Sequence, residues 1–439
     1  MGPTLKDMDV ERSFENARRA VERCRTLAEL SEDEGRTTRT FLTPPMREAH
    51  RLVRSWMENA GLTVTLDAIG NLRGSLSGSH RDAPRLLIGS HLDTVPGAGA
   101  FDGVLGVMLA IGLIEALDGQ RPAFGIEIVA FSEEEGVRFG VPFLGSRAFT
   151  GTLDRSLLQR QDARGISVAQ AIRDFGLDPG RLDDAEYRSG AFAYVEFHIE
   201  QGPVLDSVNL PVGVVEAIAG QTRLEVVFRG RTNHAGTTPM HLRRDALPAA
   251  SQWIVEVERE ASGTAGLVAT VGSITAIPGA ANVIPGEVRT SLDVRHADDS
   301  VRTSAVKHLL DRAQLIAGQR GLELTRQVRL EQSAVACDRG LTDVMARCVE
   351  IAGYPIHRMV SGAGHDAMVM ASRMPVAMLF IRSPEGISHD SAESVNIEDV
   401  ASSLRVGWHF LKEVGFVLQF PSSAEEGWLR DQQKDAKQP

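Results

Sequence analysis

Short apolar runs that are typical of β-strands alternate along this chain with segments of helical periodicity, and this alternation restricts the possible folds more than any other feature. The strand-like runs are Leu86–Ile88, Ile126–Phe131, Ala193–Phe197 and Val376–Ile381, and the helix-like segments are 13–30, 45–60, 103–117 and 397–413. Strands and helices in alternation favour a layered α/β fold that contains parallel strands. The main part of the chain is therefore predicted to be an α/β domain.

A second pattern interrupts this alternation in the middle of the chain. Its elements are, in order, strand 222–230, helix 241–261, strand 266–277, strand 286–295, helix 299–318 and strand 321–330. The order βαββαβ is that of the split, ferredoxin-like unit. We predict a main domain formed by residues 1–213 and 331–420, an inserted βαββαβ domain at 214–330, and a polar tail at 421–439.

Charge and cysteine content narrow the class of ligand. A net charge of -11 over 439 residues disfavours nucleic acid or an anionic membrane as partner, because both need a basic surface, and favours a small-molecule substrate. The N-terminal segment has no apolar core of the kind found in signal peptides, and no stretch approaches the length of a membrane span, so we expect a cytoplasmic protein. Only Cys24, Cys337 and Cys348 occur, without CxxC spacing. Any metal must therefore be held by histidines and carboxylates.

Histidines and carboxylates follow the strand-like runs. They are His91, Asp93 and Asp102 in GSHLDTVPGAGAFDG, Glu133, Glu134 and Glu135 in SEEEGVRFG, His198 in FHIEQG, and His389 in GISHD. Taken singly, a lone histidine is usually a surface or core residue, an aspartate after a strand often caps a helix, and a run of glutamates is usually a solvated loop.

Considered together, these residues favour a metal site. The carboxyl ends of parallel strands meet at one edge of a sheet, so four separate segments deliver ligands to the same place. Three histidines and at least two carboxylates suit zinc, manganese, cobalt or nickel better than calcium. They exceed what one catalytic zinc needs, and with a bridging carboxylate they suit two ions that activate water for hydrolysis.

The chain also resembles a known family from about residue 13 to residue 415. The resemblance lies in the motifs GSHLDTV, FDG, SEEEGVRF, HIEQGPVL, NHAGTTPM, NVIPGEVRTSLDVRH, SGAGHDA and GISHD. These are similar to the M20 metallopeptidase clan, in particular to its hydantoinase/carbamoylase branch, which contains N-carbamoyl-L-amino acid hydrolases, β-ureidopropionase and allantoate amidohydrolase. HIEQG, with a histidine where the peptidases of the clan usually have a carboxylate, favours this branch.

The resemblance implies a role for each metal-site residue. His91, Asp102 and His198 would hold one ion, and Asp102, Glu135 and His389 the other, with Asp102 as the bridge. Glu134 would be the general base, and Asp93 would orient the imidazole of His91. Glu133 is left as a solvated charge or as support behind the ligands. For His365 and Asp366 in SGAGHDA, lining the substrate pocket and supporting the metal loop both remain open.

The resemblance further implies that the inserted domain is a lid and a dimerisation domain. His234 would reach the active site across a homodimer interface and stabilise the oxyanion, and Arg295 would bind a substrate carboxylate, while Gln201 and Asn282 orient the substrate. Without the family, His234 is a loop histidine that caps a helix near Thr237, and Arg295 is a surface salt-bridge residue.

We therefore predict a binuclear amidohydrolase that releases an amino acid, ammonia and carbon dioxide from an N-carbamoyl-L-amino acid. Allantoate amidohydrolase and β-ureidopropionase remain alternatives, and an aminoacylase or dipeptidase is a more distant one. A nucleotide site at Gly97-Ala98-Gly99 is disfavoured because Asp102 stands where GxGxxG needs its third glycine. A non-catalytic binding protein is disfavoured because the ligands, Glu134 and His234 are all retained.

Overall fold

The computed structural model describes residues 5, 8–80 and 83–419, so the predicted tail at 421–439 lies outside the described residues. The helices are α1 Val10–Ala28, α2 Pro44–Asn59, α3 Val104–Leu117, α4 Leu144–Phe149, α5 Val168–Asp174, α6 Val204–Ser207, α7 Ala246–Gly263, α8 Asp299–Gln319, α9 Arg339–Ile351, α10 Asp366–Met370 and α11 Ile397–Gln419. Short 3-10 turns lie at Arg155–Gln159, Pro179–Ala185, Met240–Leu242 and Pro384–Gly386.

The strands are β1 Thr63–Leu66, β2 Leu72–Leu76, β3 Arg85–His91, β4 Gly125–Phe131, β5 Ala191–Ile199, β6 Val212–Ile218, β7 Gly220–Arg229, β8 Asn233–His234, β9 Val268–Thr270, β10 Ile274–Ile277, β11 Val283–Ile284, β12 Glu287–His296, β13 Glu323–Gln332, β14 Val335–Ala336, β15 Arg358–Ser361 and β16 Val376–Ile381. The chain divides into two units, one of residues 1–216, 337–359 and 365–439 and the other of residues 217–336 and 360–364.

The first unit is built on a mixed sheet whose order begins β1-β2-β4-β3-β5-β16-β6. Its four central strands, β4, β3, β5 and β16, are mutually parallel, whereas β1, β2 and β6 pair antiparallel to their neighbours. The central strands are buried along almost their whole length, as their unbroken apolar runs require. The α/β fold predicted from the alternation of elements is confirmed.

Helix α3 links this sheet to the site. Nearly every residue of Val104–Leu117 is buried, because the helix lies between strands β3 and β5 and helices α1 and α11. A helix that is apolar on all sides requires such a position. It begins directly after Asp102 and Gly103, and Gly103 has a φ of +65°. A buried helix therefore fixes the loop that carries Asp102.

The second unit contains an antiparallel sheet of order β10-β12-β7-β13, with β9 also paired to β12. Helices α7 and α8 pack on it around a core that includes Phe228, Trp253 and Leu309, and the Trp253 indole donates to the Leu309 carbonyl at 2.8 Å. With β9 and β10 counted as one broken strand, and apart from the two-residue strands β8 and β11, the elements from β7 to β13 follow the order βαββαβ. The domain boundaries at 214 and 330, and the lid role, stay predictions.

Two elements of this unit differ from the prediction. The single strand expected at 266–277 is two strands, because the chain bulges at Gly272, where the Ser273 amide donates to the Ser291 hydroxyl at 2.9 Å. The helix expected from 241 begins at Ala246, after a 3-10 turn, because Asp245 caps it by accepting from the Leu247 amide.

The state of the cysteines and the length of the helices were also considered in the sequence. Cys24, Cys337 and Cys348 are all buried as free thiols. Within residues 8–80 and 83–419, the helices are too short or too polar to cross a membrane.

Candidate metal centre

Four parallel strands carry the predicted ligand segments to one edge of the sheet. His91 is the last residue of β3, and His198 is the penultimate residue of β5. The three glutamates follow β4, and His389 follows β16 by eight residues. Because β4, β3, β5 and β16 are neighbours and parallel, their carboxyl ends meet at the same edge.

The first cluster consists of His91, Asp102 and His198, all fully buried. Asp102 Oδ1 lies 3.8 Å from His91 Nε2 and 3.3 Å from His198 Nε2, and the two Nε2 atoms are 3.5 Å apart. Each Nδ1 atom faces a backbone carbonyl, that of Asp93 at 3.0 Å for His91 and that of Ile199 at 2.9 Å for His198. We assign the ring protons to Nδ1 from these contacts, which leaves both Nε2 lone pairs directed at Asp102.

The donor set of this cluster fits a divalent cation. Asp102 Oδ1 is buried and has no hydrogen-bond partner among the described residues, although two ring nitrogens approach it. Burial lowers the pKa of His198 to about 4, so this ring is neutral and available as a ligand. For His91 burial also acts to lower the pKa, but the carboxylates of Asp93, Glu134 and Asp102 outweigh it and raise the pKa. A neutral imidazole and a carboxylate are typical ligands of a zinc-type ion, and His91 would release its proton on binding one.

The second cluster shares Asp102 and adds Glu135 and His389. His389 Nε2 lies 3.1 Å from Asp102 Oδ2 and 3.6 Å from Glu135 Oε1, and the His389 side chain is 48% exposed. Burial and the charge of Asp102 raise the pKa of Glu135 to about 7. The two clusters therefore use different oxygens of one carboxylate, and the second is the more open to solvent.

Asp93 holds the backbone of the glutamate segment as well as His91. Its Oδ1 and Oδ2 accept from the amides of Glu134 and Glu135, each at 3.0 Å. The Asp93 carbonyl is 3.0 Å from His91 Nδ1, and its Oδ1 is 3.5 Å from the same atom. Both the carbonyl and the carboxylate of Asp93 thus contact the imidazole of His91, the ring that the resemblance predicts Asp93 to orient.

The three glutamates have different environments, and the expectation that Glu133 is solvated was wrong. Glu133 has no exposed surface, and its carboxylate accepts from the amides of Phe41 at 3.1 Å and Arg138 at 3.0 Å. Its φ of +52° turns the chain sharply after β4. Glu133 therefore supports the loop from within. Of the two roles expected for it, support behind the ligands is the one that fits.

Glu134 is buried beside the first cluster. One of its ligand atoms lies within 4.8 Å of ligand atoms of both His91 and Glu135. Burial, together with the negative charges of Glu135 and Asp366, raises its pKa well above the usual value for a glutamate. A carboxyl group in such a place has a high affinity for a proton.

Gln201 lies against both clusters. Its Nε2 donates to Asp102 Oδ2 at 3.0 Å and lies 3.3 Å from His389 Nε2. The residue has a φ of +58°, which directs the chain sharply at the end of HIEQG. The structure therefore brings Gln201 together with the metal-site residues.

His234 and Asn282 lie together in the second unit, on a short ladder in which Val283 pairs with His234. Both are exposed. His234 Nδ1 accepts from the amides of Gly236 and Thr237 at 3.0 and 3.1 Å, so the ring proton is assigned to Nε2. His234 thus caps a turn near Thr237 rather than the helix expected there, and its Nε2–H is not used in these contacts.

Arg295 stands near the far end of β12 from this ladder. Its Nε and Nη2 donate to the Asp293 carboxylate at 2.9 and 2.8 Å, and Nη1 donates to the Gly362 carbonyl at 2.6 Å. The salt bridge considered at the sequence level is therefore present. These contacts use three of the five N–H groups of the guanidinium, so two remain available to bind another group.

Four residues without an assigned role surround the clusters: Glu196, His365, Asp366 and Glu393. The ring of His365 is 4.5 Å from that of His198, and Glu196 accepts from the Ala367 amide at 2.9 Å. Burial raises the pKa of Glu196 to about 7 and that of Asp366 well above its usual range. His365 thus lies against His198, which favours the supporting role for this residue, and Asp366 is buried next to it in the chain. Glu196 and Glu393 were missed, although both lie within four residues of a predicted ligand.

Comparisons with known proteins agree with this geometry. Residues 87–413 match the model of peptidase family M20/M25/M40. The chain is 43% identical over 378 residues to an N-carbamoyl-L-amino acid amidohydrolase of Geobacillus stearothermophilus, covering 85% of this chain and 92% of that protein. It is 39% identical to a probable allantoate deiminase of Oryza sativa subsp. japonica, covering 87% and 85%. A hydantoinase/carbamoylase family amidase of Burkholderia multivorans superposes with a TM-score of 0.85 at 33% identity, covering 90% and 97%.

Proposed function

Because the chain belongs to peptidase family M20/M25/M40, we propose that it hydrolyses the carbamoyl group of N-carbamoyl-L-amino acids. One water is consumed, both C–N bonds of the carbamoyl group are broken, and the products are the amino acid, ammonia and carbon dioxide. The observation that carries the chemistry is the pair of clusters joined through Asp102, with Glu134 beside them. The choice of substrate rests on the similarity to the Geobacillus amidohydrolase.

The proposed cofactor is a pair of divalent ions, zinc, manganese, cobalt or nickel. His91 and His198 would hold one ion, Glu135 and His389 the other, and Asp102 would bridge them. Such ions supply Lewis acidity, which lowers the pKa of water toward about 7 and polarises the substrate carbonyl. The two Nε2 atoms that approach Asp102 Oδ1 support this assignment, as does the lack of a hydrogen-bond partner for this oxygen within residues 8–80 and 83–419.

Glu134 is the proposed general base. It would take a proton from the attacking water and later give it to the departing nitrogen. Its raised pKa supports the second half of that cycle, because a buried carboxyl keeps a proton until a better acceptor forms. The Asp93 carboxylate, which accepts from the Glu134 amide, would keep this segment in place.

The substrate contacts are proposed from the remaining donors. The Gln201 amide, beside Asp102 and His389, would orient the carbamoyl group. Arg295 would bind the substrate carboxylate through the N–H groups that Asp293 and Gly362 do not use, while these partners hold its plane fixed. His234 Nε2–H would donate to the oxyanion, and Asn282 beside it would contact the substrate.

The positions of the proposed substrate contacts along β12 support a homodimer as a proposal. His234 and Asn282 lie beyond its Glu287 end, whereas Arg295 is one residue from its other end. Eight extended residues span about 26 Å, which is more than a small substrate can bridge. We therefore propose that one copy supplies Arg295 and the other supplies His234 and Asn282. Exposed Met240, Leu242 and Ile274 in this unit provide apolar surface for such an interface.

Product analysis tests the proposed reaction. The metal-loaded protein is incubated with N-carbamoyl-L-amino acids, β-ureidopropionate, allantoate, N-acetyl amino acids and dipeptides. We expect equal amounts of amino acid, ammonia and carbon dioxide from an N-carbamoyl-L-amino acid. Preferred turnover of allantoate would favour the second candidate, which the rice relative supports. Cleavage of N-acyl substrates or dipeptides alone would contradict the proposal.

A further inference from the structure

Glu393 joins the loop that carries Asp102 to the loop that carries His389. It is 5% exposed and follows His389 by four residues. Its Oε1 accepts from the amides of Phe101 at 2.8 Å and Asp102 at 3.1 Å. Its Oε2 accepts from the Ser388 hydroxyl at 3.1 Å. One carboxylate thus contacts the residue before His389 and the backbone of Asp102 itself.

The surroundings of Glu393 leave little room for another arrangement. A Cβ atom added at Gly99 would lie 2.3 Å from Glu393 Cβ and 2.5 Å from its Oε1. The Asp102 loop is therefore folded closely around this side chain. The backbone of His389 has a φ of +58°, which a non-glycine residue adopts only when its surroundings hold it there.

The contacts of Glu393 continue to the ligand atoms. Ser388 Oγ lies 3.4 Å from Gln201 Nε2, which in turn donates to Asp102 Oδ2 and lies 3.3 Å from His389 Nε2. The proposed ion between Asp102, Glu135 and His389 needs both loops, whereas the ion at His91 and His198 has two ligands on buried strands. His389 is also the most exposed of the ligands. The second ion is therefore the one that depends on a link between loops.

We propose that Glu393 is a positioning residue for the second metal ion, acting by fixing Asp102 and His389 relative to each other. This rests on the proposed two-ion function. Partners that orient metal ligands typically contribute about 10–100-fold to metal affinity. The effect of Glu393 should fall on the second ion, because its contacts reach only the ligands of that ion and the shared Asp102.

Two substitutions separate positioning from charge. Glu393→Asp keeps the carboxylate but shortens the side chain, so it cannot reach both loops. Glu393→Gln keeps the reach and an oxygen for the Phe101 and Asp102 amides but removes the charge. Positioning predicts that Glu393→Asp weakens the second ion about 10–100-fold and Glu393→Gln less than 10-fold. An effect through charge alone predicts the opposite order.

Metal affinity is measured by stepwise titration of the metal-free full-length protein with Zn²⁺ in competition with a chromophoric chelator. Glu398→Asp and Glu398→Gln, on the exposed face of α11, are the matched controls and should bind as wild type does. The melting temperature of each metal-free variant is measured alongside, and it should be close to that of wild type. Cobalt spectra of the same variants report the geometry of each site independently of activity.

Each outcome decides the proposal. A weaker second ion in Glu393→Asp than in Glu393→Gln supports it. Equal losses in both variants, the reverse order, or no change would overturn it, as would equal weakening of both ions. A wild-type protein that binds fewer than two ions would instead contradict the proposed function, so the two failures are distinguishable.

Discussion

Substitution of Gly103 by alanine tests whether the space between Asp102 and His91 is reserved for an ion. An added Cβ would lie 2.3 Å from His91 Nε2 and 2.4 Å from both neighbouring ring carbons. To reach an ordinary contact of 3.4 Å, the imidazole must move by about 1.1 Å. Misplacement of a catalytic group by about 1 Å can lower the rate about 100-fold. Gly103 has φ +65° and ψ -49°, outside the left-handed helical region, and a side chain there adds about 1–3 kcal/mol of backbone strain.

Gly119→Ala provides a matched control at the other end of α3. Gly119 has a φ of +77°, but an added Cβ there has no neighbour within 4 Å. Gly119→Ala should lose about 1–2 kcal/mol of stability through backbone strain without disturbing any ligand. The difference between the two variants therefore isolates the collision with His91.

The assay measures kcat/KM for an N-carbamoyl-L-amino acid, Zn²⁺ affinity and the free energy of unfolding. We expect Gly103→Ala to have kcat/KM about 100-fold lower than Gly119→Ala, with weaker binding of the ion at His91. If the two variants agreed within 3-fold in kcat/KM and in metal affinity, at about equal stability, the argument that His91 Nε2 faces an ion would be refuted.

The remaining predictions concern the base, the cation and the ions. Glu134→Gln should bind two ions with wild-type affinity but lose about 10²–10⁴-fold in kcat, and near-normal turnover would show that another group takes the proton. Arg295→Ala should raise KM about 10–100-fold, as the loss of a charged hydrogen bond implies, with Arg289→Ala on the same strand as a control; unchanged KM would assign the substrate carboxylate to another cation. Removal of metal by a chelator should lower the melting temperature, because ions at 100 times their Kd stabilise the fold by about 2.7 kcal/mol, and an unchanged melting temperature would contradict a site built from buried ligands.

The central strands and the grouping of the ligand residues were predictable from sequence. The buried parallel strands have unbroken apolar runs, and each of His91, Glu135, His198 and His389 follows or ends one of them. Parallel pairing then dictates that these ends meet. The structure brings the same residues into two clusters, while their individual roles stay predictions until they are measured.

The environment of each glutamate was not predictable, because three adjacent glutamates give no local signal that separates them. One of the two backbone amides that donate to the Glu133 carboxylate is that of Phe41, at 3.1 Å and 92 residues earlier in the chain. Glu393 was missed for the same reason, since its partners at Phe101 and Asp102 precede it by 292 and 291 residues. Because almost every residue has a backbone amide, a carboxylate that accepts from such amides does not require particular residue types in its partners.

The break in the strand at 266–277 has a local cause that sequence patterns only suggest. Gly272 lies in an otherwise strand-like run, and a glycine in such a run often marks a bulge. Whether the strand breaks there depends on the Ser291 hydroxyl, which takes the Ser273 amide out of the ladder. That partner lies on the neighbouring strand, so the break could not be derived from residues 266–277 alone.

Anomalous diffraction from crystals grown with Mn²⁺ or Zn²⁺ tests the central claim most directly. We expect two peaks per chain, one among His91, Asp102 and His198 and the other among Asp102, Glu135 and His389, with Asp102 contacting both. A single peak, or two peaks that do not share Asp102, would contradict it.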